Sequence, residues 1–524
     1  MNYKSIFLQV LPELGILLVT IMLLRTFVYP GVPATHDNYN HLARMANFYK
    51  ALKDGHFPPR WAANLNYQFG YPVFNYNYYL PYIPALPIFV LGGSLETALK
   101  CSYFLFLFAS GLGMYFFLKQ HLSSLASFAG SILYLTAPPQ LLQIFVRGNI
   151  GETAGWALLP IILFFLHKLI ISKKLKLHWW LGSSLGIFCL LLSHNIVFLL
   201  GLPLVSLYSL LFCLLQNKFA IIRVMTAIMF GIGLGAYFLM PAVLESKYII
   251  LLQGPLSKNF LTHFPTLLQF IYSPWGYGFS VVGTNDGMSF QLGPIQLALL
   301  LIGLYLVVVK VLKPIKHRPL NSVLLLFFTA IFLLSSTLML SFSTAFWKIF
   351  PFLQQIQFPW RLLVLSTVSL SIVGAFIIEK LPKQLIYLSL LGAIMYSFLL
   401  SKPQSYLHQD DFMYIMFPFT SSVSHENLPV GFDMYKNMEY KLKLLDTKNI
   451  AKFTENKWKT HIHEYQINSS ENTTVIEHTA YFPGWETWVD GVKTAIYSSN
   501  PDYPGIITYK ITKGNHQVKT IFTE

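Results

Sequence analysis

The chain has 524 residues, 54% of them apolar and 11% charged, where soluble chains carry roughly 25% charged residues. A mean hydropathy of +0.52, with 44 Phe, 30 Tyr and 10 Trp, excludes a disordered chain and points to a polytopic membrane protein. The net charge of +15 does not mark a nucleic-acid binder. Residues 1–400 sum to +17, with the excess lying between apolar segments, and residues 401–524 sum to −2.

In chain order, eleven segments approach the roughly 20 apolar residues that span a bilayer: near 6–28, 99–118, 122–142, 154–171, 177–194, 196–215, 222–243, 291–312, 320–342, 361–379 and 383–400. The first is longer than a signal-peptide core and reads as an uncleaved anchor, although Val32-Pro33-Ala34 loosely resembles a cleavage site. A twelfth candidate, 79–93, carries Pro81, Pro84 and Pro87. At 1.5 Å per residue it reaches only about 22 Å, and its prolines remove backbone donors. It reads as a re-entrant or interfacial piece. In loop 31–78, Leu42, Met45, Ala46, Tyr49 and Leu52 fall on one helical face, stopped by Gly55 and Pro58-Pro59. That pattern predicts an amphipathic helix in the interface plane. Residues 401–524 alternate in short runs with turns at Asp490-Gly491 and Lys513-Gly514-Asn515, which predicts a small antiparallel β domain.

Basic residues fall on alternate connections: Lys119, Lys168/Lys173/Lys174/Lys176, Lys218 with Arg223, Lys310/Lys313/Lys316/Arg318, and Lys380 with Lys383. With eleven crossings all of them face the cytoplasm, the N-terminus is inside, and the β domain is outside the plasma membrane. If 79–93 crosses as well, the N-terminus lies outside and loop 31–78 inside. Cys101, Cys189 and Cys213 sit in apolar stretches, so neither a disulfide framework nor a CxxC metal site is present.

Residues 1–400 contain eight carboxylates. Glu379 beside Lys380 reads as a solvated pair, and Asp54 and Glu96 as helix-end or surface residues. Glu13, inside the first apolar run, receives no role. Asp37, Glu152, Glu245 and Asp286 fall on outer-face connections. Other polar groups gather there: His36 and His41 around Asp37, Arg147 before Glu152, His194-Asn195 at a turn, and Gln357-Phe358-Pro359-Trp360-Arg361 before the eleventh crossing. A group transfer from a lipid-linked phosphate donor needs a base for the acceptor proton and cations for the phosphate leaving group. Structural readings stand beside these. Asp37 suits a helix N-cap, Arg147–Glu152 an ion pair, His194 a turn contact, and Trp360-Arg361 an interfacial anchor. His36 and His41 are five apart, which does not make a helical metal pair. A divalent cation on Asp37 has no further support, and no cofactor is expected.

Thr35-His36-Asp37, Arg44, Gly55-His56-Phe57-Pro58-Pro59-Arg60-Trp61 and Gly70-Tyr71-Pro72-Val73-Phe74-Asn75-Tyr76 form an ordered set. Arg147-Gly148 with Glu152, Leu192-Ser193-His194-Asn195, Tyr237-Phe238-Leu239-Met240-Pro241-Ala242, Gln357-Phe358-Pro359-Trp360-Arg361 and Tyr481-Phe482-Pro483-Gly484-Trp485 continue it. The set resembles bacterial and archaeal 6-pyruvoyl-tetrahydropterin synthase-related membrane proteins of the YfhO type, which in turn resemble GT-C glycosyltransferases. The resemblance implies an all-α transmembrane bundle (residues 1–400) with an extracytoplasmic β-sandwich-like domain (401–524). It also implies an inverting sugar transfer from a polyprenyl-phosphate donor to a glycan, lipid or protein acceptor at the outer face. Asp37 matches the family's acid/base position. His36, Arg147, Glu152, His194, Asn195, Gln357, Trp360 and Arg361 are the expected substrate-binding residues. Asp37 has His36 and Asn38 as neighbours, where many GT-C members carry a paired acidic motif. A flippase for a lipid-linked sugar and a non-catalytic envelope protein are the alternatives, and Trp485, Trp488, Tyr481 and Tyr503 are candidates for stacking on sugar rings.

Overall fold

The computed structural model describes residues 3–253, 260–311, 320–422, 424–434, 436 and 442–523. The apolar segments form helices α1 (Tyr3–Leu23), α2 (Asn38–Lys53), α3 (Leu95–Leu118), α4 (Ser124–Leu135), α5 (Ile150–Ile171), α6 (Leu177–Ser193) and α7 (Asn195–Gln216). They continue as α8 (Ala220–Leu234), α9 (Ala236–Leu244), α10 (Pro294–Val311), α11 (Leu320–Leu338), α12 (Leu363–Ile378) and α13 (Lys383–Leu400). Polar side chains start several of them. Ser94 accepts from the Thr97 amide, Ser123 from Ala126 and Asn149 from Glu152, each supplying an orphan donor with a partner.

Among the described residues six helices are long and apolar enough to cross a membrane, seven if the bent pair α8–α9 is one span. The eleven expected segments are therefore not eleven straight spans. The segment at 122–142 stops as a helix at Leu135, because Pro138-Pro139 force a new start into a five-residue helix and then a π-helical turn, Gln143–Arg147. The segment at 222–243 bends by 64° at Gly235. Residues 79–93 hold only a 3₁₀ turn, Leu80–Tyr82, and a five-residue helix, Leu86–Val90.

Helix α2 forms as expected but does not lie as an amphipathic surface helix. Arg44 and Asn47 on its polar side are buried along with Leu42 and Met45, Arg44 against Ser421 and Asn47 against the Asn64 amide. Arg44 donates to the Ser421 hydroxyl at 2.7 Å, and Tyr71 shares that hydroxyl at 2.7 Å.

The C-terminal region carries two antiparallel sheets, ordered β4-β5-β10-β7-β8 and β3-β6-β9. The strands are β3 (Leu444–Leu445), β4 (Ile450–Lys459), β5 (Ile462–Ser469), β6 (Thr473–Ala480), β7 (Trp485–Val489), β8 (Val492–Thr494), β9 (Ile506–Ile511) and β10 (Gly514–Phe522). They follow a short ladder in which β1 (Val32–Pro33) pairs with β2 (Tyr406–Leu407). A buried carboxylate joins the two sheets: Glu477 of β6 meets His463 and Tyr465 of β5 and Thr520 of β10. Trp485 is 3% exposed, packed against Trp61, His463 and Phe522. It is a core residue and not an exposed sugar platform.

Three carboxylates act where the sequence showed only surface positions. Glu96 is buried and accepts from Tyr414 and the Gln409 amide, with His408 at 2.8 Å. Asp54 accepts from the Thr460 amide and hydroxyl, fastening the end of α2 to the β domain. Glu379 caps α4 through the Ser123 amide and hydroxyl and makes no pair with Lys380 among the described residues. At that same end of the bundle, opposite the β domain, lie Lys119, Lys168 and Arg223. Lys313, Lys316, Arg318 and the Lys310 side chain fall outside the described residues.

Candidate functional site

Two backbone hydrogen bonds place Asp37 next to Arg147: His36 N–H donates to the Val146 carbonyl (3.1 Å) and Asp37 N–H to the Arg147 carbonyl (2.9 Å). The chain then turns through Gly148, whose φ is +67°. A Cβ there would stand 1.9 Å from Thr35 Oγ1 and 2.9 Å from Asn38 Oδ1, so only glycine lets the two segments approach. Asn149 follows as the α5 N-cap. Its Oδ1 accepts from the Glu152 amide and from Tyr78 OH, and its Nδ2 faces Asp37 Oδ2 at 3.5 Å. That long contact is the only hydrogen bond to the Asp37 carboxylate among the described residues, and Asp37 makes no side-chain cap to α2. The carboxylate is half-buried.

Glu152, one turn into α5, is almost fully enclosed. Arg147 Nη1 lies 2.6 Å from Oε2, with side-chain exposures of 6% and 3%. Gln143 donates to the same oxygen at 2.9 Å. Around Oε1 stand Arg361 Nε at 3.6 Å and His194 Nε2 at 3.7 Å, both beyond hydrogen-bond reach. Oε1 and the Arg361 Nε are buried polar atoms without a hydrogen-bond partner. Trp360 lines the cluster, with the Arg147 guanidinium 4.5 Å from its ring centre. Gln357, at φ +67°, accepts from Arg361 at 2.8 Å. Burial alone would lower the Arg147 pKa, but the facing Glu152 carboxylate outweighs it and raises it.

His36 stacks on Phe279 at 4.1 Å, and its Nε2 lies 3.1 Å from the Tyr277 carbonyl. A carbonyl accepts only, so that nitrogen carries the proton. Burial lowers the pKa of His36 and keeps the ring neutral, against weaker opposition from that carbonyl and Asp37. Thus Arg147, Glu152, His194, Gln357, Trp360 and Arg361 converge, with Asp37 and His36 on the adjoining turn. Asn195 does not join them; it donates to the Tyr76 carbonyl and ties α7 to the loop. Glu245 and Asp286 also lie apart. Glu245 takes both of its oxygens to Arg60, and Asp286 bonds Gln269 and the Val281 amide.

Asn149 and Gln143 are site residues the sequence reading did not single out. Asn149 carried a signal, an N-cap type three residues before an acid. Gln143 carried none, since its four-residue spacing from Arg147 matters only once that turn is helical. Among the described residues no three His, Cys, Asp or Glu side chains group to hold a metal ion.

The model of the 6-pyruvoyl-tetrahydropterin synthase related domain, a membrane protein family, matches residues 76–407. The chain belongs to this family. The match includes Arg147, Glu152, His194 and Arg361; Asp37 lies ahead of it. An uncharacterised protein from Lactococcus lactis subsp. cremoris is 29% identical to this chain over 244 residues, 44% of this chain and 39% of its own length. Similar solved structures include the arabinofuranosyltransferase AftD from Mycobacteria, with a TM-score of 0.49 and 13% identity over 76% of this chain and 27% of AftD. Another is the Archaeoglobus fulgidus oligosaccharyltransferase, with a TM-score of 0.46 and 11% identity over 82% and 62%. The family member thus spans well under half the length of its curated relative and of AftD.

Proposed function

We propose that this chain is a membrane glycosyltransferase of the GT-C kind. It moves a sugar from a polyprenyl-phosphate donor to a glycan, lipid or protein acceptor at the outer face of the plasma membrane. The observation that carries the reading is an under-committed carboxylate beside a buried cationic cluster. Asp37 has one long side-chain contact, while Glu152 alone faces both Arg147 and Arg361. With His36 neutral, two guanidinium groups against one buried carboxylate leave the cluster one positive charge in excess, which the ionised Asp37 beside it balances only until it takes up the acceptor proton. A phosphate leaving group supplies the missing negative charge, and Asp37 is the base.

In an inverting transfer the acceptor oxygen bonds to the anomeric carbon as the carbon–oxygen bond to phosphate breaks. The acceptor proton goes to Asp37 Oδ, and the bond electrons leave with polyprenyl phosphate, held by Arg147 and Arg361. Trp360 and Tyr78 wall the cluster, and Glu152 and Gln143 fix the arginine geometry. The test is the purified chain in lipid nanodiscs with a panel of polyprenyl-phosphate sugars, product read by mass spectrometry. Asp37→Asn should fold normally and lose transfer by at least a hundredfold. Wild-type turnover by that variant would remove Asp37 as the base.

A further inference from the structure

The loop and the β domain flank a second concave site away from the arginine cluster, a crevice open to solvent. Lys50, Asn64, Gln68, Lys443, Trp458 and Lys459 line it. Lys50 is paired with Asp54 and Lys443 with Glu455. Lys459 has no carboxylate partner among the described residues, and its Nζ reaches only the Asp54 carbonyl, at 3.4 Å. Trp458 is held flat against His463, ring centres 4.0 Å apart and planes at 7°, and closes one wall.

The opposite wall is backbone in an unusual state. Asn66, Tyr67 and Gln68 run consecutively with φ of 57°, 51° and 67°, in the left-handed region that residues with a Cβ disfavour. The Asn66 and Tyr67 amides are pinned to the carbonyls of Phe419 and Pro418. The strain is thus maintained by residues outside the crevice, and its effect is to leave Gln68 at the crevice wall, half-buried, with no hydrogen bond from its amide among the described residues. Strain held in place from elsewhere is typical of ligand clamps.

We propose that this crevice binds an acidic saccharide, a sugar ring bearing a carboxylate or phosphate. Lys459, with Lys50 and Lys443 behind it, holds the anionic group; the Asn64 and Gln68 amides take ring hydroxyls; Trp458 excludes water from the apolar edge. Its role as the acceptor subsite rests on the transfer reading above, whereas binding itself does not need the reaction.

The experiment is calorimetric titration of the full chain in nanodiscs. The probes are an oligoglucuronate, an oligo(glycerol phosphate) carrying glucosyl groups, and a neutral glucan of equal length. Either acidic probe should bind, more weakly as salt rises, and the neutral glucan should bind at least tenfold more weakly. Lys459→Glu should weaken binding at least tenfold and Gln68→Ala several-fold, with unchanged thermal midpoints. Asp37→Asn should bind as the wild type does, so a failure of the catalytic reading leaves this result intact. Equal binding of acidic and neutral probes, no binding of any probe, or wild-type affinity in Lys459→Glu overturns the proposal.

Discussion

Arg147 and Glu152 meet at 2.6 Å across a left-handed glycine, with side-chain exposures of 6% and 3%. The π-helical turn ends at Arg147, and the Asn149 cap fixes where α5 and Glu152 begin. Removing one member of such a buried pair strands the other, at a cost of roughly 3–5 kcal/mol. Arg147→Met and Glu152→Gln are each expected to lower the thermal midpoint in detergent strongly. The double variant Arg147→Met/Glu152→Leu should recover at least half of the loss. Additive losses would show that the two side chains are not energetically coupled.

Gly148 is the hinge on which Asp37 is brought to that pair. Gly148→Ala meets an unfavourable φ and a Thr35 hydroxyl 1.9 Å from the new Cβ. Strain at such a position costs roughly 1–3 kcal/mol, and the turn must shift, carrying Asp37 away from Asn149. Lower stability and loss of transfer are expected together. Gly233→Ala is the control: nothing lies within 4 Å, the position is inside α8, and the change should gain up to about 1 kcal/mol. Thermal unfolding and turnover measured side by side separate the two sites.

The docking of the β domain depends on pH through Asp54. Burial pushes its pKa up, but the Thr460 hydrogen bonds and Lys50 outweigh that and hold it below the ordinary 3.8. A carboxylate with a depressed folded pKa stabilises fully above its unfolded value and loses that contribution as pH falls through the folded one. The midpoint difference between wild type and Asp54→Asn should therefore be constant above about pH 5 and close below the ordinary carboxylate value near 4. A difference that persists at pH 3 would assign the effect to something other than ionisation.

How much of this was legible along the chain depends on the range of the interaction. Helices, the β region and the polar motifs at their ends are local patterns, and the motif residues Arg147, Glu152, His194 and Arg361 do sit at helix ends that meet. Glu96 and Asp54 looked ordinary, and Glu245 looked like a companion of Asp37 and Glu152, because their partners are remote: Tyr414, Thr460 and Arg60. The spacing of Leu42, Met45 and Tyr49 correctly gave a helix and wrongly gave it a wet face, since a segment nearly four hundred residues later covers Arg44 on the polar side. Periodicity reports which residues avoid water, and it is silent on which polar ones are also covered.

Sidedness is a prediction from charge, and it decides whether a polyprenyl donor outside the cell can reach the site. Lys174 is exposed on the connection between α5 and α6, and Asn456 is exposed on β4. The positive-inside rule assigns the first to the cytoplasm, and the two lie at opposite ends of the bundle. In a variant whose three native cysteines are replaced, Cys introduced by Asn456→Cys should react in intact cells with a membrane-impermeant maleimide. Cys introduced by Lys174→Cys should react only after permeabilisation. The reverse pattern would put Asp37 and the arginine cluster at the cytosolic surface, where the donor chemistry would have to be a soluble nucleotide sugar. The pattern expected here leaves the outer leaflet as the donor's route to Arg147 and Arg361.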